Sequence, residues 1–229
     1  MTQLLFFGHA CFAIKGKDFI VLIDPYLKGN PHLSSFPQDL TPNLILITHG
    51  HYDHLGDAIE IAKEKNATIL AQPEIVNYCQ KMGVKQTIKL HYGGRIALDF
   101  GSVKMVPAWH SSSISEEGLY GGNPCGYVIN FLGHIFYHAG DTALFGDMKI
   151  IGESDPVEVA MLPIGDRYTM GIDDAAKAVS FIKPKIVIPM HFNTFDVIIQ
   201  NPEEFRRLVE LNTTARCIIL KPGGCLELT

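Results

Sequence analysis

The stretch THGHYDHLGD, residues 48–57, places three of the chain's ten histidines and two aspartates within a single short segment. Imidazole and carboxylate groups are costly to bury without partners. Such a cluster is therefore either a solvated polar loop or a set of ligands around something that satisfies them. The stretch overlaps the end of the apolar run NLILIT, which is typical of a buried strand. In any fold of this chain, the cluster therefore lies at the end of a strand.

Short apolar runs rich in β-branched residues alternate with Gly and Pro, and they predict about a dozen strands. Helical patterns lie between them at Asp57 to Lys65, Glu74 to Met82, Ile172 to Ile182 and Pro202 to Asn212. Because strands occur in hairpin groups and also alternate with helices, the sequence predicts an α/β fold with two mixed sheets. Residues 1–229 contain no repeat and no linker, so we expect a single domain.

The composition limits the classes of partner. The 24 acidic and 19 basic residues are interspersed, so the chain lacks the basic stripe that nucleic-acid binding requires. No apolar run reaches the ~18 residues of a membrane span. The N-terminal apolar run has no preceding basic residue, which favours a strand over a secretory signal. Five cysteines without a CxxC pair favour reduced thiols, and we expect a cytoplasmic protein. The sequence leaves open whether the protein forms a homo-oligomer.

Four further polar residues each follow an apolar run: Asp24 in LIDP, His110 in PAWH, Asp141 in HAGD and His191 in IPMH. In an α/β sheet this position is the carboxyl-terminal edge, where loops meet and ligands bind. His49 has the same position after NLILIT. The sequence therefore predicts that residues far apart along the chain converge on one edge.

The residue types indicate a metal site. In an extended segment, alternate residues 49, 51 and 53 face one side, and a turn would bring His54 toward them. Nitrogen and carboxylate ligands without a neighbouring cysteine suit Zn²⁺, Mn²⁺ or Fe²⁺ in an open site. Such a set can be divided between two ions ~3.5–4 Å apart that make a water acidic enough to be hydroxide near neutral pH.

The order H-x-H-x-D-H, a single His, G-D-T and a last His resembles the metallo-β-lactamase superfamily. More narrowly, GHACF, IDP, PAWHSS, HAGDTALFGDM, PIGDRYTMG and IPMHFNTF resemble a bacterial and archaeal family of metal-dependent hydrolases related to ascorbate-6-phosphate lactonase. The likeness covers nearly the whole chain. It implies a four-layer αββα sandwich of the metallo-β-lactamase fold, with a metal site at one edge of the paired sheets.

The resemblance also implies the ligands of two metal ions. They are His49, His51 and His110 for the first ion, Asp53, His54 and His191 for the second, and Asp141 as the bridge. Of these, Asp53, His54 and Asp141 are expected to act in catalysis. The lactamases themselves use a cysteine ligand that is absent here, which argues against a β-lactam substrate.

Four residues outside the ligand set are candidates to orient a ligand or to contact the substrate. Asp24 either starts a turn or accepts a hydrogen bond from a ligand histidine. His9 either caps a strand end or lines the cleft. Arg167 and Tyr168 precede the helix that begins near Ile172, a natural edge for anion recognition, and the alternative is a solvated loop.

Several other polar residues are interpreted as structural. His134 and His138 alternate along HIFYH, and His91 lies in a turn. Ser111 to Ser113 place hydroxyls beside the PAWH motif, but no base with an orienting partner is found to activate a serine nucleophile.

Together, the residues and the resemblance predict a metal-dependent hydrolase with two divalent ions that acts on a small ester-like substrate. A lactone or a phosphate ester is favoured. Zn²⁺ is the expected metal, with Mn²⁺ or Fe²⁺ as alternatives. Two dications with two aspartates and a hydroxide leave a net positive charge, which favours an anionic substrate. The loops Pro25 to Asn43 and Ser111 to Pro124 are predicted to overhang the site and to select the substrate.

Two other functions fit the same pattern. One is an iron-dependent oxidoreductase on the same fold, although diiron flavoprotein relatives carry H-x-E-x-D-H and His51 stands in the middle place here. The other is a metal-stabilised binding protein without chemistry, against which the open ligand set argues.

Overall fold

Apolar runs of three to seven residues form most strands of this protein, and the near-continuous burial of the central ones is typical of sheets covered on both faces. The computed structural model describes residues 1–33, 40–114 and 118–229. The strands in these ranges are β1 (Thr2–Gly8), β2 (Cys11–Lys15), β3 (Ile20–Ile23), β4 (Leu44–Leu46), β5 (Thr68–Ala71), β6 (Thr87–Lys89), β7 (Arg95–Leu98), β8 (Gly101–Pro107), β9 (Ser113–Ile114), β10 (Leu119–Tyr120), β11 (Cys125–Phe131), β12 (His134–His138), β13 (Val159–Pro163), β14 (Ile186–Met190), β15 (Arg216–Cys217) and β16 (Cys225–Leu228).

The helices follow the amphipathic patterns of the sequence. They are α1 (Tyr52–Leu55), α2 (Ala58–Lys65), α3 (Pro73–Lys81), α4 (Met148–Ser154), α5 (Ile172–Ile182) and α6 (Pro202–Asn212), with a short 3-10 turn at Asp196–Ile198. The four helices predicted from the sequence are confirmed to within a residue at each end. At the start of α6, the Asn201 side chain accepts a hydrogen bond from the backbone N–H of Glu203 at 3.1 Å.

The described residues divide into two units. The first unit contains Met1–Gly94, Ser111–Pro124 and Lys221–Thr229, and the second contains Arg95–His110 and Cys125–Leu220. Each unit has one seven-stranded sheet with both parallel and antiparallel pairs. The prediction of two mixed sheets is therefore confirmed, whereas the single domain over residues 1–229 stays a prediction.

The sheet of the first unit has the order β16-β1-β2-β3-β4-β5-β6. Since β1 and β3 are both antiparallel to β2, they run in the same direction, and β4 to β6 follow parallel to β3. The carboxyl ends of β1, β3 and β4 therefore lie at one edge, and the chain continues from them to His9, Asp24 and His49. Apolar side chains of the sheet, such as Ile45, form a buried cluster with α2 and α3 residues such as Val76.

The sheet of the second unit has the order β15-β14-β13-β12-β11-β8-β7. Both β8 and β12 are antiparallel to β11, and β12 to β15 are mutually parallel. The carboxyl ends of β8, β12, β13 and β14 therefore share one edge. His110, Asp141, the loop from Ile164 to Gly171, and His191 all follow these ends.

Two local predictions are wrong. The run CIIL forms only the last residue of β15, because this strand pairs with β14 over Arg216–Cys217 alone. The segment Ser111 to Pro124 is not entirely loop, since β9 and β10 pair within it. Residues 34–39 and 115–117 of the two predicted overhanging loops lie outside the described residues. Within the described ranges, no helix combines the length and the apolar character needed to span a bilayer.

Candidate metal centre

Asp24 is the centre of the polar cluster in the first unit. Its side chain is fully buried and accepts hydrogen bonds from the Thr48 backbone N–H at 2.8 Å, the Thr48 hydroxyl at 2.6 Å and His54 Nδ1 at 2.7 Å. The residue directly follows β3 and has a φ of 44°, in the left-handed region where aspartate is enriched among non-glycine residues. Three donors therefore compensate the burial of one carboxylate.

The hydrogen bonds to Asp24 select the tautomers of two histidines. Because His54 donates its Nδ1 proton to Asp24, its Nε2 carries the lone pair. Thr48 gives its hydroxyl proton to Asp24, so the Thr48 oxygen accepts the Nδ1 proton of His49 at 3.0 Å. Nε2 therefore carries the lone pair in both rings, the tautomer found in metal-binding histidines whose other ring nitrogen is held by an acceptor.

His51 lies next to His49. His49 Nε2 and His51 Nδ1 are 3.0 Å apart, a separation that two ligands at ~2.0–2.1 Å from one zinc ion can span. The extended segment ends at His51, because α1 begins at Tyr52. The prediction that residues 49, 51 and 53 alternate in one extended segment is therefore wrong, and Asp53 lies on a helical turn.

His9 contacts Asp53 directly. His9 is buried, and its Nε2 lies 3.1 Å from Asp53 Oδ2. The His9 ring packs edge-on against the Tyr26 ring, with centroids 5.7 Å apart. Burial, followed by the charges of Asp53 and Asp57, raises the pKa of Tyr26, so its hydroxyl stays protonated and donates to the Gly29 carbonyl at 2.8 Å. The structure thus places His9 beside one of the predicted ligands.

Asp141 is the centre of the corresponding cluster in the second unit. Its Oδ2 atom lies 3.0 Å from His191 Nε2 and 3.6 Å from His110 Nε2. Asp141 and His191 are buried, and His191 follows β14 directly with a φ of 53°. A single carboxylate oxygen thus lies near the two histidines that the resemblance assigns to different ions.

Thr142 joins the loops around Asp141, and sequence reasoning gave it no role. Its buried hydroxyl accepts a hydrogen bond from the Trp109 N–H at 2.9 Å and donates to the Ala143 carbonyl at 2.8 Å. Its carbonyl accepts from the Met170 N–H at 3.0 Å. The one signal in the sequence is a hydroxyl residue directly after the predicted bridging aspartate.

Arg167 and Tyr168 are exposed in the loop that precedes α5. The guanidinium carbon of Arg167 lies 5.9 Å from the centre of the Tyr168 ring. The same loop begins against His191, because a Cβ on Gly165 would lie 2.4 Å from the His191 carbonyl oxygen and 3.2 Å from its Nδ1. The loop therefore belongs to the same sheet edge as Asp141 and His191.

Two of the residues interpreted as structural, His134 and His91, have partners away from these clusters. His134 Nδ1 lies 2.7 Å from Glu158, and His91 is exposed and accepts a hydrogen bond from the Tyr92 N–H. His138 accepts a hydrogen bond from the Gly140 N–H.

The serines next to the PAWH motif contact the HGH segment of the first unit. Ser111 Oγ lies 3.5 Å from His51 Nε2. Ser112 Oγ accepts a hydrogen bond from the Gly50 N–H and donates to the Gly121 carbonyl.

The donor atoms fit divalent metal ions of borderline character. Nitrogen and carboxylate oxygen make up both clusters, and two histidines already present the correct ring nitrogen. All five cysteines are free, and four of them are buried, as the sequence predicts. Burial raises the pKa of Cys79 to about 12, so its thiol is not a thiolate ligand near neutral pH.

Comparison with known proteins places the chain among metal-dependent hydrolases. A family model described as the beta-lactamase superfamily domain matches residues 3–191. The chain is 47% identical over 229 residues to a UPF0173 metal-dependent hydrolase of Pelotomaculum thermopropionicum, covering 99% of this chain and 100% of the relative. It is similar in structure to Igni18, a metallo hydrolase from Ignicoccus hospitalis, with a TM-score of 0.90, 35% identity, and coverage of 100% and 99% of the two chains.

A more distant solved structure identifies the architecture. The metallo-beta-lactamase fold protein YhfI from Bacillus subtilis superposes with a TM-score of 0.78 at 12% identity and covers 99% of this chain and 100% of its own. A likeness at this identity is one of fold alone. With the closer likenesses, it confirms the fold class predicted from the sequence.

Proposed function

Since the chain belongs to the beta-lactamase superfamily and, within it, to the UPF0173 family of metal-dependent hydrolases, we propose that it is a binuclear hydrolase of small ester-like substrates. A lactone or a phosphate ester is the favoured substrate, and the cytoplasm is the favoured location. When bound, two divalent ions, with Zn²⁺ favoured over Mn²⁺ and Fe²⁺, would supply hydroxide near neutral pH and would polarise a substrate oxygen.

The proposed ligands keep the assignment implied by the sequence. They are His49, His51 and His110 for one ion, Asp53, His54 and His191 for the other, and Asp141 for both. The observation that carries the proposal is the buried Asp24 network, which holds the Nδ1 atoms of His49 and His54 and leaves Nε2 as the ligand atom of both rings. A fully buried carboxylate that orients two neighbouring histidines has no comparable purpose in a solvated polar loop.

The remaining polar residues have supporting roles in this proposal. The hydrogen bond from His9 holds the Asp53 carboxylate in one orientation. Arg167, with Tyr168 beside it, binds the anionic group of the substrate, because an exposed guanidinium at the edge that carries Asp141 is a bidentate donor for carboxylate or phosphate.

Metal analysis and a substrate screen test the proposal together. We expect purified protein to carry about two divalent ions per chain and to lose activity on lactones or phosphate esters after chelation. Activity should return with added Zn²⁺, Mn²⁺ or Fe²⁺. Full activity in metal-free protein would refute the proposal, and oxygen uptake coupled to turnover with Fe²⁺ would assign the site to oxidation instead.

Variants locate the site within the chain. Asp141→Ala removes the proposed bridge and should abolish activity and reduce the bound metal. His91→Ala and His134→Ala are the matched controls, because their rings have partners outside both clusters, and they should retain the metal. Equal metal loss in all three folded variants would contradict the assignment.

A further inference from the structure

Thr142 lies at a junction of three loops in the second unit. Trp109 belongs to the loop after β8, Thr142 itself to the loop after β12, and Met170 to the loop after β13. The Thr142 hydroxyl bonds to the Trp109 N–H and its carbonyl bonds to the Met170 N–H, at 2.9 and 3.0 Å. One fully buried residue therefore connects the loops that follow β8, β12 and β13.

The hydroxyl of Thr142 is needed both as an acceptor and as a donor. It accepts from the Trp109 N–H and donates to the Ala143 carbonyl, while the Ala143 N–H returns a hydrogen bond to the Trp109 carbonyl at 3.0 Å. The Trp109 backbone is thus held at both its N–H and its C=O. Valine has the same shape as threonine but offers no acceptor for the Trp109 N–H, so the exchange is not conservative.

These bonds act on residues of the proposed centre through the covalent chain. Trp109 immediately precedes His110, and Thr142 immediately follows Asp141. Two hydrogen bonds between the loops therefore lie next to the pair His110 and Asp141, whose Nε2 and Oδ2 atoms are 3.6 Å apart. The bond to Met170 fixes the far end of the loop that carries Arg167.

We propose that Thr142 is a positioning residue. Its hydroxyl keeps His110 close enough to Asp141 for both side chains to bind the same metal ion, and its carbonyl holds the loop that carries Arg167. The part that concerns metal rests on the proposed function. Groups that hold metal ligands in place typically contribute ~10- to 100-fold in metal affinity. Thr142 contributes in this way without contacting an ion.

The chain offers a matched control for the hydroxyl. Thr213 also donates to a backbone carbonyl, that of Val209 at 2.9 Å, and accepts from a backbone N–H, that of Ala215 at 3.2 Å, at the end of α6. We expect Thr142→Val to weaken binding of one Zn²⁺ by ~10- to 100-fold in a chelator competition, and Thr142→Ser to restore it. Thr213→Val should bind Zn²⁺ like the wild type. Equal affinity in Thr142→Val and the wild type would overturn the proposal.

Trp109 provides a readout that needs neither metal nor substrate. It is the only tryptophan of the chain and its side chain is 68% exposed, so its fluorescence reports on this loop alone. In metal-free protein, Thr142→Val should lower the Trp109 anisotropy and increase acrylamide quenching, whereas Thr142→Ser and Thr213→Val should match the wild type. Unchanged Trp109 fluorescence in folded Thr142→Val would overturn the positioning role.

The two readouts separate this inference from the proposed function. If the wild type binds none of Zn²⁺, Mn²⁺ and Fe²⁺, the proposed function fails, and the Trp109 measurement still decides whether Thr142 fixes the loop. Should Thr142→Val not fold, the comparison of Thr142→Ala with Thr142→Ser gives the same test, because only serine keeps the hydroxyl.

Discussion

At the scale of single residues, hydrogen bonds fix the ring protons of two histidines of the proposed metal centre. Asp24 accepts from His54 directly and from His49 through the Thr48 hydroxyl, so one carboxylate sets two imidazole tautomers. Asp24, His49 and His191 could be placed at strand ends from the apolar runs before them, whereas the assignment of ligands was implied by the resemblance. The roles of Thr48 and Thr142 could not be predicted, because a hydroxyl that bonds to backbone or to a neighbouring side chain has no characteristic spacing.

Replacing Asp24 tests this arrangement. Asp24→Asn removes the charge and one acceptor oxygen, so His49 and His54 are no longer held in a single tautomer. We expect Zn²⁺ affinity to fall by ~10- to 100-fold in a chelator competition, with the folded state retained. Asp18→Asn changes an exposed carboxylate in the same unit and should have no effect. Wild-type affinity in Asp24→Asn would show that the network serves folding alone.

Arg167 is the residue whose replacement tests the charge of the substrate. A charge-assisted hydrogen bond contributes ~1.5–3 kcal/mol, so Arg167→Ala should reduce kcat/KM for an anionic ester by roughly ten- to a hundredfold. Arg167→Lys keeps the charge but loses the planar fork, and should recover part of the loss. The kcat/KM for neutral esters and the metal content should hardly change in either variant. As a control, Arg206→Ala on α6 should leave kcat/KM for both kinds of ester and the metal content at their wild-type values. The same loss for neutral and anionic esters would make Arg167 structural.

At the scale of elements, the site is built by residues that turn the chain immediately after a strand. His9, Asp24 and His191 follow β1, β3 and β14, and all three have positive φ values, which non-glycine residues adopt mainly at turns and functional sites. This conformation lets a side chain project from the strand end without an intervening loop. The strand-end position was predictable from the apolar run, whereas the left-handed turn depends on tertiary contacts.

Long elements were predicted more completely than short ones. The helices α5 and α6 begin and end where the sequence predicts. In each of them the residue before the first turn (Gly171 or Asn201), the acidic residues of that turn and the apolar stripe indicate the same helix. The four residues of α1 are too few to show a helical period, and three of them are polar or aromatic. Their helical turn comes from the backbone hydrogen bonds to His51, not from a pattern.

The cap of α6 offers a prediction on stability alone. Asn201→Ala removes the acceptor for the Glu203 N–H and should lower the free energy of unfolding by about 1 kcal/mol in urea denaturation. Asn201→Asp keeps an acceptor and should retain the wild-type value. Both variants should bind metal normally, because α6 contains none of the proposed ligands. A metal defect in Asn201→Ala would mean that the cap does more than stabilise the helix.

At the scale of the whole molecule, stability should depend on acid through a cluster of opposite charges in the second unit. Asp155 follows α4 and accepts hydrogen bonds from Lys104 and Arg95, on β8 and β7. Burial acts to raise the pKa of Asp155, but the hydrogen bonds and charges of Lys104 and Arg95 outweigh it and hold the pKa below its ordinary value. The charged carboxylate therefore stabilises the folded state.

The sign of this pH dependence follows from linkage. A carboxyl whose pKa is lower when folded contributes stability above its unfolded pKa, near ~3.9, and loses it as the pH falls through the folded value. In urea unfolding, the stability advantage of the wild type over Asp155→Asn should be constant from about pH 7 to 5 and shrink below about pH 4. Glu153→Gln on α4 serves as the exposed control. A constant advantage down to about pH 2 would rule out this cause.

The order of the first sheet also has a consequence for synthesis on the ribosome. β1 pairs with β2 on one side and with β16 on the other, yet β16 is translated only after all the residues of the second unit. On the nascent chain, the backbone groups of Thr2 to Leu5 therefore form an open edge while most of the protein is being made. An unpaired apolar edge is a template for pairing with another chain. A chain that is released before Cys225 is translated would thus have an unpaired β1 edge, and we expect it to aggregate.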